Sequence, residues 1–225
     1  MIQLSIRIIE IEPRMGGAEL VLTVSMQNAV YCEEKKLAVA KNMLYRMAHI
    51  GEGDLPYDLT GEQYCDLEYF EELWKAVKKG IHLLDFADAT RLTIIKKLKD
   101  RGFDKHIAEN AADYLVKYGY IDEKKYAEHL IDTLANTKLY GPSRIRAELY
   151  RKGISREIID KHLDELLSQI DFEENLLKLV RKKCDIDAIS DRACREKFYA
   201  AMYRLGYSVS QTRDAIKSIK EENEE

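Results

Sequence analysis

Apolar and polar residues alternate at the start of the chain. Over residues 2–11, Ile2, Leu4, Ile6 and Ile8 are separated by polar residues. This period of two predicts a strand with these apolar side chains facing inward. Its pattern carries no resemblance to a secretion signal, because acidic residues interrupt the apolar run.

A second strand is predicted over residues 19–26 (ELVLTVSM), after a turn at PRMGG and before another turn at Gln27-Asn28. Residues 29–40 (AVYCEEKKLAVA) are ambiguous, since they fit either a hairpin that turns at EEKK or the start of a helix. We favour short strands, followed by a helix over 41–49 and a linker over 50–59.

From Thr60 onward the period changes to that of a helix. Thr60 and Gln63 form a capping box, which predicts the start of a helix that runs to Gly80 or Phe86. This helix carries an apolar stripe that is more typical of core than of a binding surface. The stripe consists of Leu67, Phe70, Leu73, Trp74, Val77 and Ile81.

One short phrase then occurs three times. Its copies are residues 94–102 (IIKKLKDRG), 145–153 (IRAELYRKG) and 198–206 (FYAAMYRLG). The closing glycines, Gly102, Gly153 and Gly206, lie 51 and 53 residues apart. A helix-forming run that ends in glycine predicts a left-handed helix end. Three copies at a period near 50 residues predict tandem structural units.

The residues around each glycine also repeat. Each glycine has an apolar residue four positions before it, another directly after it, and a cap residue two positions after it. These are Leu98, Leu149 and Met202; Phe103, Ile154 and Tyr207; and Asp104, Ser155 and Ser208. The pattern predicts two helices joined by a tight corner, with the second helix capped by Asp or Ser.

Further helix signals complete three helices per unit. Thr90, Asp122, Asp171 (with Glu174) and Ser190 are predicted caps, Gly119 a helix end, Pro142 a first helical residue, and residues 185–190 a break. We therefore predict a mainly α chain of three tandem three-helix repeats in an elongated curved array, preceded by a small N-terminal β-rich element. The predicted domains are 1–59, 60–120, 121–170 and 171–225.

Composition narrows the function classes. The chain is 46% hydrophobic and 34% charged, a balance typical of a soluble helical protein, with no run approaching the ~20 apolar residues of a membrane span. The four cysteines and five histidines are scattered without metal-site spacing, which favours reduced cytosolic thiols over a zinc site. No nucleotide-binding or hydrolase motif is present, so we expect no enzyme and no cofactor.

Charge is distributed unevenly. Residues 90–153 carry 14 basic and 9 acidic side chains, although the whole chain has a net charge of −4. The candidate contact residues lie on the first two phrases: Lys96, Lys97, Arg101, Arg144, Arg146, Arg151 and Lys152. Such cations suit a phosphate backbone or an acidic partner surface. Each of them also fits an ordinary solvated helix face, or a favourable interaction with the helix dipole.

Several stretches together resemble the RecX family of recombination regulators. They are KKLKDRGF, YGYIDEKKYAEHLI, GPSRIRAELYRKGI and RLGYS, within a resemblance that spans roughly residues 70–220. The leading strands resemble the N-terminal extension of the longer Gram-positive members. Two positions depart from the family pattern, which commonly has Arg and Glu where this chain has Ala89 and Thr93, so the first unit is expected to contact its partner differently.

The resemblance implies a cytoplasmic protein that binds RecA recombinase filaments on single-stranded DNA, inhibits ATP hydrolysis and strand exchange, and modulates recombination, DNA repair and the SOS response. It also implies tandem helical units and, in some members, binding to single- or double-stranded DNA. We expect a monomer. Two alternatives remain: a single-strand DNA-binding protein that acts without recombinase, and a helical-repeat scaffold for another protein.

Overall fold

The fold is mainly helical, with a small antiparallel sheet at the N-terminus, as predicted. It was obtained as a computed structural model, which describes residues 4–48, 50, 52–184, 189 and 191–224. The strands are β1 (Ser5–Arg14), β2 (Glu19–Gln27), β3 (Cys32–Ala40) and β4 (Tyr57–Leu59). They are arranged in the order β3-β2-β1-β4, with every neighbouring pair antiparallel.

The sheet has a bulge in its first strand. The pairing of β1 with β2 shifts between Ile8 and Glu10, so the alternation of inward and outward side chains changes phase there. Ile8 is fully buried, whereas Leu4, which was predicted to face inward, is 46% exposed. That prediction was wrong because strict alternation cannot anticipate where the sheet ends; Ile2 lies outside the described residues.

The segment after β2 also differs from the prediction. EEKK lies inside β3, where Lys36 pairs with Thr23, and it forms neither a turn nor a helix. The turn instead follows the Gln27-Asn28 signal and lies at residues 28–31, where Asn28 Oδ1 accepts hydrogen bonds from the backbone N–H groups of Val30 and Tyr31. Likewise, the predicted linker contains β4, which pairs with β1 at the sheet edge.

Ten helices occur in the described part of the chain. They are α1 (Lys41–Met47), α2 (Gly61–Leu84), α3 (Arg91–Lys99), α4 (Lys105–Lys117), α5 (Glu123–Asp132), α6 (Pro142–Lys152), α7 (Arg156–Ser168), α8 (Phe172–Lys183), α9 (Arg192–Leu205) and α10 (Val209–Glu224). The predicted capping box of Thr60 and Gln63 is present at the start of α2. Asp104, Asp122 and Asp171 cap α4, α5 and α8 through their carboxylates.

Two predicted caps and one predicted helix need correction. Ser155 occupies the cap position of α7 but makes no capping hydrogen bond through its side chain. Ser190 lies outside the described residues, and Asp191 caps α9. The helix α5 passes into a π-helical segment at Thr133–Thr137, which no feature of the apolar pattern indicated.

The chain divides into two compact units. The first comprises residues 1–87 and 94–120, and the second comprises 88–93 and 121–225. In the first, Leu67 on α2 joins the sheet in one apolar core. Gly80 lets α2 approach α4 closely, since a Cβ there would lie 2.5 Å from Leu115 Cδ1.

The second unit contains two apolar clusters. One joins α5, the π-helical segment, α6 and α7, and the other joins α8, α9 and α10. The predicted boundaries at residues 60, 121 and 171 remain predictions. No helix in the described part of the chain combines the length and hydropathy needed to cross a membrane.

Candidate functional site: basic phrase helices and their corners

The three glycine corners have the same backbone. Gly102, Gly153 and Gly206 all adopt left-handed conformations, with φ of 92°, 81° and 99°. In each corner the residue after the glycine donates its N–H to the carbonyl four positions before the glycine, at 3.1–3.3 Å. This bond closes the helix end as the repeated phrase predicts.

The corners differ in their surroundings. A Cβ at Gly102 would meet no atom of the described chain within 4 Å. A Cβ at Gly153 would lie 3.3 Å from Thr90 Oγ1, and one at Gly206 would lie 2.6 Å from the backbone nitrogen of Arg144. The second and third corners are therefore packed against the starts of α3 and α6, and the first is open.

Glu123 helps to hold the second corner. One of its carboxylate oxygens accepts the N–H of Arg91 at 2.9 Å, and the other accepts the N–H of Ser155 at 3.1 Å. Thr90, which is fully buried, donates its hydroxyl to the carbonyl of Lys152 at 3.2 Å. A single carboxylate on α5 thus serves the beginnings of two other helices, where N–H groups lack helical partners.

The third corner is held by backbone and by a buried phenol. Gly141 donates its N–H to the carbonyl of Leu205 at 2.7 Å, and the hydroxyl of Tyr207 donates to the carbonyl of Leu139 at 3.2 Å. Burial raises the pKa of Tyr207 to about 12. The phenol therefore stays protonated and can donate at any physiological pH.

In the first unit the predicted cations form no ion pair with a carboxylate of the described chain. Lys96 is exposed and Lys97 half-buried on α3, and neither forms an ion pair within the described chain. Arg101, in the turn after α3, donates one guanidinium N–H to the carbonyl of Lys97 at 2.8 Å. This bond orients Arg101 but leaves its positive charge without a carboxylate partner in the described residues.

In the second unit two of the four predicted cations share one carboxylate. Glu148, on α6, is 7% exposed and accepts Arg144 at 2.8 Å and Arg151 at 2.7 Å. The hydrogen bond from Arg151 holds the pKa of Glu148 below its usual value, against the opposing effect of burial. Arg144 also lies 5.6 Å from the centre of the Tyr140 ring.

The other two cations on α6 are less restrained. Arg146 pairs with Asp164 at 3.2 Å, and that carboxylate is 90% exposed. Lys152 is exposed and forms no ion pair in the described chain. The seven predicted residues thus form two groups, Lys96, Lys97 and Arg101 in the first unit and the remaining four in the second.

Sequence reasoning missed two carboxylates, Glu148, which pairs with two of the cations, and Glu123, which helps to hold the second corner. Glu148 lies four residues after Arg144 and three before Arg151, a spacing at which helical side chains meet, so its role could have been inferred. Glu123 acts on residues 32 positions away in both directions, which no local pattern reveals. Among the described residues, no group of three His, Cys, Asp or Glu side chains could hold a metal.

The comparisons with known proteins all identify the same family. The family described as RecX, second three-helix domain, matches residues 122–163. A regulatory protein RecX from Chlorobium phaeobacteroides (strain BS1) is 32% identical over 145 residues, which cover 64% of this chain and 93% of that protein. A regulatory protein RecX from Clostridioides difficile (strain 630) is 29% identical over 160 residues, covering 68% and 70%.

Solved structures show the same fold. A crystal structure of regulatory protein RecX matches 93% of this chain and 99% of its own, with a TM-score of 0.70 and 22% identity. RecX from Lactobacillus salivarius matches 67% of this chain and 97% of its own, with a TM-score of 0.57 and 21% identity.

Proposed function

Because this chain belongs to the RecX family of regulatory proteins, we propose that it binds RecA recombinase filaments on single-stranded DNA and inhibits their ATP hydrolysis and strand exchange. In this role it modulates recombination, DNA repair and the SOS response. It acts as a cytoplasmic monomer that binds its partner and performs no chemistry of its own, so it needs no cofactor.

The observation that carries the proposed contact is the set of uncommitted cations on and after α3. Lys96, Lys97 and Arg101 have no carboxylate partner in the described chain. A carboxylate or phosphate that approaches them does not have to compete with a carboxylate of the described chain. Unpaired charges at a protein surface mainly accelerate association and select an anionic partner surface.

The cations of α6 support the same contact more weakly. Arg144 and Arg151 already neutralise Glu148, so an external anion has to compete with a nearly buried carboxylate. Arg146 and Lys152 are easier to engage, because Arg146 pairs only with an exposed carboxylate and Lys152 has no partner in the described chain. We therefore assign the larger share of partner contact to α3.

The first test is the rate of ATP hydrolysis by the cognate RecA on single-stranded DNA, titrated with this protein. Inhibition at well below one copy per recombinase is the expected result, because a protein that acts on the filament affects many subunits. Unchanged hydrolysis at equimolar protein would contradict the proposal and leave a helical-repeat scaffold for another partner.

The contact surface is tested by a double charge reversal with a matched control. Lys96→Glu with Lys97→Glu places two negative charges on α3, and we expect the concentration for half-inhibition to rise about tenfold or more. The control is Lys182→Glu with Lys183→Glu. These two lysines are also adjacent and lie at the end of α8, just as Lys96 and Lys97 lie near the end of α3. Equal loss in both variants would indicate a general charge effect and remove α3 from the contact.

A second pair of variants tests α6. Arg146→Ala with Lys152→Ala leaves both partners of Glu148 in place, so α6 keeps its internal ion pairs. We expect a smaller loss of inhibition than with the α3 reversal, about two- to fivefold. A loss that exceeds that of the α3 variant would reverse the assignment of the main contact.

A further inference from the structure

Within the described chain, one of the three glycine corners lacks the neighbour that covers the other two. A Cβ at Gly102 would meet nothing within 4 Å, whereas the corners at Gly153 and Gly206 pack against the starts of α3 and α6. We call residues 101–104 the open corner. The two covered corners show, within the same molecule, which kind of element fits a surface of this shape.

Both covering elements are the beginning of a helix. The hydroxyl of Thr90, directly before α3, lies 3.3 Å from the position of a Cβ at Gly153 and donates to the carbonyl of Lys152 at 3.2 Å. Gly141, directly before α6, donates its N–H to the carbonyl of Leu205 at 2.7 Å. In each case the donor belongs to the residue before a helix, and the acceptor is the carbonyl one position before the corner glycine.

The same acceptor is unused at the open corner. The equivalent carbonyl is that of Arg101, and it accepts no hydrogen bond within the described chain. The last carbonyls of a helix have no partner inside the helix. Since a neighbouring helix start supplies the donor at the two covered corners, the open corner keeps the corresponding acceptor available to another molecule.

The apolar residue after the glycine is also less covered at the open corner. Ile154 and Tyr207 are 4% and 1% exposed at the covered corners, whereas Phe103 is only half-buried. All three residues make the same closing hydrogen bond through their N–H groups. Their burial therefore differs because of what lies around them, and a helix start placed on the open corner would remove more of the Phe103 ring from water, which favours association.

The charge beside the open corner selects the kind of helix start. Residues 96–102 carry four basic side chains and one acidic side chain. Lys96, Lys97 and Arg101 have no carboxylate partner in the described chain. Helices commonly carry Asp or Glu in their first turn, where the unpaired N–H groups make the helix end positive. Such a first turn would place its N–H groups beside the carbonyls of the open corner and its carboxylates beside the cations of α3.

We propose that the open corner is the docking site for the start of a helix of the partner protein, with acidic residues in the first turn of that helix beside Lys96, Lys97 and Arg101. This contact repeats the one that the starts of α3 and α6 make with the corners of the second unit. An extended peptide is a poorer occupant, because it lacks the group of unpaired N–H donors that a helix start presents. The proposal rests on the proposed function for the identity of the partner, which is the recombinase.

The test compares two asparagine variants. Gly102→Asn adds a side chain at the open corner. Gly119→Asn is the control, because Gly119, just after α4, is also left-handed and a Cβ there would meet nothing within 4 Å in the described chain. Asparagine tolerates this backbone conformation, so both helix ends are kept. Each variant is titrated into ATP hydrolysis by the cognate RecA on single-stranded DNA, and circular dichroism checks that its helices remain.

We expect Gly102→Asn to raise the concentration for half-inhibition about tenfold or more, because a helix start that fits this corner leaves no room for a side chain. At the covered corners a Cβ would already lie 3.3 Å and 2.6 Å from the covering helix start. Gly119→Asn should stay within about twofold of the original chain. Equal inhibition by the original chain and both variants would overturn the docking site and leave the proposed function intact. Absence of inhibition by the original chain would overturn both.

A second measurement does not depend on a variant at Gly102. The photoreactive residue p-benzoylphenylalanine replaces Phe103, which keeps an aromatic ring at the open corner. The control carries it in place of Tyr120, which follows Gly119 and is 50% exposed. After irradiation on the recombinase filament, mass spectrometry should locate the cross-links from position 103 in the first turn of a recombinase helix, beside Asp or Glu, and position 120 should not reach that segment. Cross-links from position 103 to a strand or to the middle of a helix, or none while inhibition persists, would overturn the proposal.

Discussion

The corners at Gly102 and Gly206 share a sequence phrase, a left-handed glycine and the same closing hydrogen bond, yet their surroundings are opposite. The corner at Gly206 is so tightly packed that an added Cβ would lie 2.6 Å from Arg144, whereas the corner at Gly102 meets nothing within 4 Å in the described chain. The local sequence determines the backbone of a corner. Whether a corner is tightly packed depends on whether the start of another helix lies beside it.

The cations on α3 and α6 also differ in what surrounds them. On α3, before the open corner, Lys96 and Lys97 have no ion pair in the described chain. On α6, Arg144 and Arg151 are held by Glu148. The cations of the first phrase therefore have no carboxylate partner in the described chain, whereas two cations of α6 pair with Glu148 inside the second unit.

The largest expected effect comes from substituting the corner glycines by alanine. Gly102→Ala should lower the free energy of unfolding by about 1 kcal/mol, because only the left-handed backbone is strained. Gly206→Ala should lower it by about 3 kcal/mol or more, because Cβ also overlaps Arg144. Gly153→Ala should fall between them, since its nearest neighbour is 3.3 Å away. Urea unfolding followed by circular dichroism measures the series, and equal losses at all three positions would show that packing at the corners is unimportant.

A smaller effect is expected from Glu123→Ala, which removes the acceptor shared by the N–H groups of Arg91 and Ser155. We expect a loss of about 1–2 kcal/mol in the free energy of unfolding, as for a lost helix cap. Amide hydrogen exchange should quicken at Arg91 and Ser155 and stay unchanged at Gly102. Glu128→Ala, on the same helix, is the control; faster exchange at Gly102 would contradict a role confined to the second corner.

The smallest effect concerns pH and Glu148. Its pKa is lowered in the folded protein, chiefly by the hydrogen bond from Arg151. A lowered pKa stabilises the fold above the pKa of the unfolded state, and that stability is lost as pH falls through the folded value. Since Arg144 and Arg151 are substantially exposed, the contribution should be about 1 kcal/mol or less.

Glu148→Gln should therefore lose stability relative to the original chain at pH 7, and the difference should shrink as pH falls through and below the usual range of a glutamate carboxyl. Urea unfolding at pH 7 and at a series of acidic pH values measures it. A difference that persists in acid would mean that the side chain acts through packing and not through its charge.

Much of the fold could be read from the sequence because its signals are local. In each corner the glycine, the apolar residue four positions earlier and the cap two positions later are close in sequence, so the three corners and the caps at Asp104, Asp122 and Asp171 were predictable. The predictions were wrong where strand pairing determines the local structure. The strand β4 is only three residues long, and it forms because it pairs with β1. The EEKK segment became strand because β2 pairs along all of β3.

The candidate site divides in the same way. The sequence alone determined which residues are basic, that they recur on phrase helices, and which family the phrases resemble, because these depend on residue type and spacing. The pairing of Arg144 and Arg151 with Glu148 could also have been inferred, because these residues lie three and four positions apart on one helix. The tertiary structure decided that Arg146 pairs with Asp164, 18 positions away. It also decided that Glu123 joins two helix starts and that the corners at Gly153 and Gly206 pack against the starts of α3 and α6. These are contacts between residues far apart in the chain, and their free energies depend on distance in space, which the order of residues does not contain.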